Sequence, residues 1–197
     1  MDVVAKAIRS VGISPEIERV VHNAQTIGAN NNRLAQKRFD IVSPAAEAND
    51  RMLCFDVSIV SHVTNEHITR ALNKPLVAAT HACANKHSKY YNYTHHETEV
   101  FIPLIAETSG CLHKNFNKLY AHFGSRVNDE PPLQANWSAQ TFTQYWLQRT
   151  SVVVWRETAR SLMRLARASI RKLGIMQPYD LVDVTTGTPS RADEDEQ

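Results

Sequence analysis

Apolar positions along this chain switch between two periods. Val3, Val4, Ala7, Ile8 and Val11 recur at helical spacing and stop at Gly12, a natural C-cap, so residues 2–12 predict a helix. Ser14-Pro15-Glu16 restarts the chain, Ile17–Val21 is short enough to be a strand, and Gly28–Asn32 is a turn by composition. Arg38–Ser43 predicts a second strand, stopped by Pro44, and the polar stretch Ala45–Arg51 leads into a third strand over residues 52–60.

The second and third strands each carry a carboxylate inside an apolar run: Asp40 in Arg38-Phe39-Asp40-Ile41-Val42, and Asp56 in Met52–Val60. A buried carboxylate is costly unless a cation or hydrogen-bond donors compensate it, so two of them a hairpin apart suggest a metal site. Period two places Cys54, Asp56, Ser58 and Val60 on one face of the third strand, and Leu53, Phe55, Val57 and Ile59 on the other. A helix is then predicted from Pro75, tolerated in a first turn, to Tyr93, with Leu76, Ala79, Cys83, Lys86 and Tyr90 spaced at three and four. Lys86 falls on the apolar stripe and Lys89 on the next row; long lysine stems also snorkel from such positions into water.

Val100–Ala106 predicts a fourth strand ending at Glu107, and Pro103 within it argues for an edge or a bulge. Gly110 is expected to open a helix that closes at Gly124, with Leu112, Phe116, Leu119, Tyr120 and Phe123 on one side. Pro131-Pro132 marks a linker, and Ser138 is the expected N-cap of a long helix whose β-branched run Thr150–Val154 is its weakest part. Beyond it Trp155, Ala159, Leu162, Met163, Ala166, Ile170 and Leu173 share one face. Arg156, Arg160, Arg164, Arg167 and Arg171 form a stripe beside that face. Guanidiniums in a row repel one another unless something anionic lies along them; a phosphate backbone fits, and its binding is salt-dependent. The plain alternative is a solvated face neutralised by an acidic segment. The expected organisation is an α/β core over 1–126, a linker over 127–137, an arginine-rich helical extension over 138–174, and an acidic, disordered tail over 175–197.

Composition narrows the class. A hydrophobic content of 43% with 21% charged residues is ordinary for a globular domain, and no apolar run is long enough to span a bilayer. Met1-Asp2-Val3-Val4-Ala5-Lys6 does not read as a secretory signal, so an intracellular protein is expected. The formal charge of +2 hides an asymmetry: residues 175–197 hold six acids against Arg191, a balance of −5, which leaves +7 on the rest. That favours a polyanionic partner. Cys54, Cys83 and Cys111 are odd in number and lie in apolar stretches, as expected of buried reduced thiols. His81, Cys83 and His87 lack the paired spacing of a zinc site.

Two strand acids suit Mg²⁺, a hard cation that prefers oxygen ligands, and a lysine from the following helix would complete a phosphodiesterase site. Taken in order, Arg38-Phe39-Asp40-Ile41-Val42, Phe55-Asp56-Val57-Ser58-Ile59-Val60, Lys86-His87-Ser88-Lys89-Tyr90 and Phe101-Ile102-Pro103-Leu104 through Glu107-Thr108-Ser109-Gly110 carry a resemblance. They resemble the restriction-endonuclease-like domain at the C-terminus of reverse-transcriptase polyproteins of site-specific non-LTR retrotransposons, a branch of the PD-(D/E)XK nucleases. The resemblance spans residues 15–125 and continues into Phe142–Arg167.

That resemblance implies a restriction-endonuclease-like core, with a helix, a three-stranded meander, a helix and a fourth strand, followed by the basic helical extension. It implies a Mg²⁺-dependent endonuclease that nicks target DNA, with DNA, and secondarily the RNA of such an element, as partner in the nucleus. Asp40 and Asp56 match its two acids, and the Val57 carbonyl a further metal contact. Phe39 stands at the usual proline and Ser58 at the usual lysine, so Lys86, or else Lys89, would supply the catalytic ammonium from the helix. Arg38 would contact phosphate or pair with Asp40, and Arg156 to Arg171 would grip the backbone. Tyr90 and Glu107 also match, though a packed aromatic and a helix N-terminal acid are equally good readings. No reverse-transcriptase catalytic motif and no CCHC zinc knuckle occurs in these residues. The competitors are a nuclease-dead module that keeps the fold and the arginine stripe, and an interaction domain whose stripe docks an acidic protein.

Overall fold

The computed structural model describes residues 2–27, 34–44, 51–64, 68–71, 73–133 and 138–172. Helix α1 (Asp2–Ser10) is followed by strands β1 (Glu16–Ile27), β2 (Leu34–Ser43) and β3 (Met52–Val60). The short α2 (Ile68–Ala71) precedes α3 (Val77–Tyr91), β4 (Glu99–Glu107), α4 (Lys114–Gly124) and the long α5 (Phe142–Lys172). The strands form one mixed sheet in the order β1-β2-β3-β4: an antiparallel meander, then β4 parallel to β3 after the crossover through α3. This is an α/β fold. The expected turn at Gly28–Asn32 and most of the connection Ala45–Arg51 lie outside the described residues, as does the acidic tail.

Strand alternation divides the core in two. Ile41, Leu53, Phe55, Leu104 and Ala106 face a large cluster that also takes Val4 and Ile8 of α1, Phe116, Tyr120 and Phe123 of α4, and Phe142, Trp146 and Val154 of α5. The opposite face packs on α3: Phe39, Val42, Cys54 and Phe101 meet Tyr90, while Ile105 meets Ala79 and Cys83. Burial of these large side chains, each roughly 1.5–3 kcal/mol, holds the layers together. A compact unit runs through Met1–Arg156, so the first half of α5 packs as core. Thr150 and Val154 are buried there, and the Thr150 hydroxyl lies 2.7 Å from the Tyr120 hydroxyl. Packing thus overrides the weak helix propensity of the β-branched run.

Several element boundaries differ from those expected. Strands β1 and β2 are longer than Ile17–Val21 and Arg38–Ser43, forming a ribbon that continues to the Ile27–Leu34 pair; β2 meets β3 only at Ile41–Ser43. Gly110 does not open a helix. It holds φ +87° in a turn, its carbonyl accepting from Ser151 Oγ at 2.6 Å, and α4 starts at Lys114 after His113, whose Nδ1 accepts from the Asn115 N–H. Ser138 is not the cap of α5: the helix starts at Phe142, and Thr141 Oγ1 accepts from the Gln144 N–H at 3.1 Å, the bond an N-cap makes. Helix α3 begins at Val77 because Leu76 takes a left-handed backbone, φ 61°.

Pro103 lies on an edge strand, as its missing N–H requires. The outer side of β4 is covered by the chain that follows it. The Pro103 carbonyl accepts from Asn115 Nδ2 at 2.8 Å and the Ile105 carbonyl from the His113 N–H at 2.9 Å. The Glu107 N–H donates to the Cys111 carbonyl at 2.8 Å.

Candidate active site

The sheet comes apart at Asp40. The β2–β3 ladder ends at Ile41↔Phe55, one pair short of Asp40 and Asp56. On the other side of β2, the pairs Ile17↔Ile41 and Arg19↔Phe39 bracket Glu18, which sits opposite Asp40 with φ 56°. A non-glycine residue in the left-handed region is strained and interrupts regular pairing. Where the backbone ladder stops, the Asp40 side chain replaces it: the Val57 N–H donates to Asp40 Oδ2 at 2.7 Å. This bond holds the Asp40 carboxylate against β3, beside the residue that follows Asp56.

Asp56 is 5% exposed and both of its carboxylate oxygens are engaged. The Tyr90 hydroxyl donates to Oδ1 at 3.0 Å; on Oδ2 the Lys86 ammonium sits at 2.5 Å and the Ser58 hydroxyl donates at 3.2 Å. Lys86 and Tyr90 come from α3, one turn apart on the stripe that also buries Ala79 and Cys83. The position of Tyr90 is set by its ring, stacked on Phe101 with centroids 4.6 Å apart and tilted against Phe39 at 5.6 Å. Its hydroxyl also lies 3.2 Å from the Arg38 carbonyl. Two strands and one helix thus bring Asp40, Asp56, Ser58, Lys86 and Tyr90 together.

The electrostatics follow from burial. Desolvation pushes the Asp40 carboxyl above its ordinary value; the Val57 N–H opposes this, the Asp56 charge adds to it, and the Lys86 charge opposes it. Burial, together with the charge and the hydrogen bond of Asp56, raises the Tyr90 phenol and keeps it a donor. Among the described residues it is the Lys86 ammonium whose charge acts on both carboxylates. Hard oxygen donors from Asp40 and Asp56 fit Mg²⁺, which is commonly held by one or two carboxylates plus waters and substrate phosphates. Among the described residues no group of three or more His, Cys, Asp or Glu could hold a metal, so the carboxylate oxygen donors at this point are those of the two acids.

The other expected site residues make different contacts. Lys89 is exposed, with its ammonium 5.7 Å from the Tyr90 ring centroid, so the structure brings Lys86 and not Lys89 to the acid. Arg38 pairs with Glu18 at 3.5 Å, not with Asp40. Glu107 is buried at the far end of β4 and accepts from the Ala79 N–H at 3.3 Å, capping the first turn of α3 that Leu76 leaves uncapped. The helix it caps is the one that delivers Lys86. Arg156 is exposed. In the unit from Glu157 onward, Arg160 pairs with Glu157 at 2.5 Å, Arg164 Nε donates to the Arg160 carbonyl at 3.4 Å, Arg167 is half-buried and Arg171 exposed. Of the expected buried thiols, Cys54 and Cys83 are buried but Cys111 is exposed.

Two contributors were not singled out as site residues from sequence. Ser58, which stands where the resemblance expects a lysine and shares a strand face with Asp56, hydrogen-bonds the acid. Glu18 carries no sequence signal for its left-handed backbone.

No protein-family model matches the chain, and no curated protein does. Among the described residues no helix is long and apolar enough to cross a membrane.

Proposed function

We propose that this chain is a divalent-metal-dependent DNA endonuclease, of the restriction-endonuclease-like kind carried by retrotransposon polyproteins, that nicks its target by phosphodiester hydrolysis. The observation that carries the proposal is the convergence of Asp40, Asp56 and the Lys86 ammonium where β2 parts from β3. Mg²⁺ bound there would supply a water of lowered pKa and shield the scissile phosphate. Asp40 and Asp56 hold the cation, Tyr90 and Ser58 fix the rotamer of Asp56, and Lys86 stabilises negative charge building on the phosphoryl oxygens. Arginines along α5 bind the backbone electrostatically, with Arg156, Arg160, Arg164, Arg167 and Arg171 on one stripe.

One observation favours a second reading, a nuclease-dead DNA-binding module. Both oxygens of Asp56 are already satisfied by protein groups, as in a structural network. A plasmid-nicking assay with Mg²⁺ separates the two. Nicking by the parent that is lost in Asp56→Ala and in Lys86→Ala supports the enzyme; nicking that survives Asp56→Ala refutes this site. A parent that binds duplex DNA at low salt without nicking is the inactive module.

A further inference from the structure

The Lys86 ammonium sits on one oxygen of the better buried acid. Asp56 Oδ1 accepts from the Tyr90 hydroxyl, whose ring belongs to an aromatic cluster, while Oδ2 holds Lys86 at 2.5 Å. The Lys86 side chain is 26% exposed against 7% for Asp56, so the lysine can swing out toward solvent but the carboxylate cannot follow it. Asp40, fixed by the Val57 N–H through Oδ2, completes the negative pair. A lysine ammonium is a compact point charge on a flexible stem. It can therefore stand in for a small cation between acids and can also be displaced.

We propose that Lys86 is a built-in placeholder: its ammonium occupies the cation position on Asp56 Oδ2, and a divalent cation binds by displacing it. This rests on the metal-dependent reading of the same site. It makes Lys86 an antagonist of cation binding and ties its release to loading. The ammonium becomes available to a phosphate only after the acids have acquired another positive charge. Ser58 and Tyr90 keep the Asp56 carboxylate in place during the exchange, since their hydrogen bonds do not depend on the lysine. It also reconciles the neutralised network with catalysis, because the satisfied Asp56 is then the resting state of a working site.

The test is Mn²⁺ binding by the full chain, followed by electron paramagnetic resonance without DNA, for the parent, Lys86→Met, Lys86→Arg and Asp56→Asn. Lys86→Met is expected to bind at least tenfold more tightly than the parent, Lys86→Arg about as the parent does, and Asp56→Asn at least tenfold more weakly. Equal or weaker binding by Lys86→Met, with Asp56→Asn still impaired, overturns the placeholder and leaves the metal site standing. Unimpaired binding by Asp56→Asn, or no binding by the parent and Lys86→Met alike, overturns both. A second measurement needs no variant. Acylation of Lys86 by acetic anhydride, read by peptide mass spectrometry, is expected to rise severalfold as Mn²⁺ is added to the parent, while Lys114 and Lys118 stay constant. Lys86 acylation that is unchanged or reduced by saturating Mn²⁺ overturns the displacement.

Discussion

The Tyr90 hydroxyl offers the cleanest perturbation of the candidate site, because Tyr90→Phe removes one oxygen and leaves the ring. The ring stays stacked on Phe101 and against Phe39, so the packing contribution is preserved. What is lost is the hydroxyl that donates at 3.0 Å to Asp56 Oδ1, a carboxylate oxygen with only 5% of its residue exposed, and that also lies 3.2 Å from the Arg38 carbonyl. Hydrogen bonds to charged groups contribute about 1.5–3 kcal/mol, and a buried acceptor left bare loses that in full. About 2 kcal/mol is therefore expected, a fall in Tm of about 4–8 °C for a chain of this size. Thermal denaturation in chelator-containing buffer measures it, and a double-mutant cycle with Asp56→Asn isolates the pair, with an expected coupling of about 1 kcal/mol or more. A Tm within 1 °C of the parent, or a coupling near zero, would refute the view that Tyr90 holds Asp56; the phenol would then be a packed aromatic and nothing more.

Two further outcomes follow from described contacts. Because the folded protein raises the Asp40 pKa, the folded state binds its proton more tightly than the unfolded chain does. The charged carboxylate thus costs stability at neutral pH, and that cost lessens as pH falls through the folded pKa and is gone below the ordinary aspartate value. Asp40→Asn, which can still accept from the Val57 N–H, should melt higher than the parent at pH 7.5 without metal and lose that advantage at pH 3.5, while losing nicking; a variant that melts lower at pH 7.5 contradicts the sign. Thr141→Ala should cost about 1 kcal/mol in urea denaturation as a lost N-cap, with Ser138→Ala within error of the parent, and the reverse order would move the cap back to Ser138.

Much of the architecture was legible from the apolar pattern alone: α1 and α3 repeat at three and four, and β3 and β4, packed on both faces, read as apolar runs. The placement of Asp40 and Asp56 on neighbouring strands was legible too, since both interrupt apolar runs a short connection apart. The length of the β1–β2 ribbon was not: Val20–Ile27 mixes His22, Asn23 and Gln25 with apolar residues, and only the ladder shows that it continues. The apolar stripe of α3 already favours Lys86 over Lys89, and Lys86 is the one that reaches Asp56. The start of α5 was missed because serine and threonine caps have equal chemistry and only geometry distinguishes Thr141 from Ser138. On the apolar face that starts at Trp155, Trp155 is 61% and Leu162 62% exposed.

The covered edge of β4 bears on how such molecules can meet. An unsatisfied strand edge is a template for another chain, and sheets commonly grow into dimers or fibrils by adding a strand there. Here the position that is Cα partner to Asp56 is Pro103, which has no donor to offer, and residues 111–115 have already claimed the neighbouring outward groups. Strand addition beside the acid pair is thereby closed. A second copy that joins by sheet continuation has to do so along β1, two strands away from Asp56, so two such copies would carry their acid pairs apart, on separate flanks of one continuous sheet.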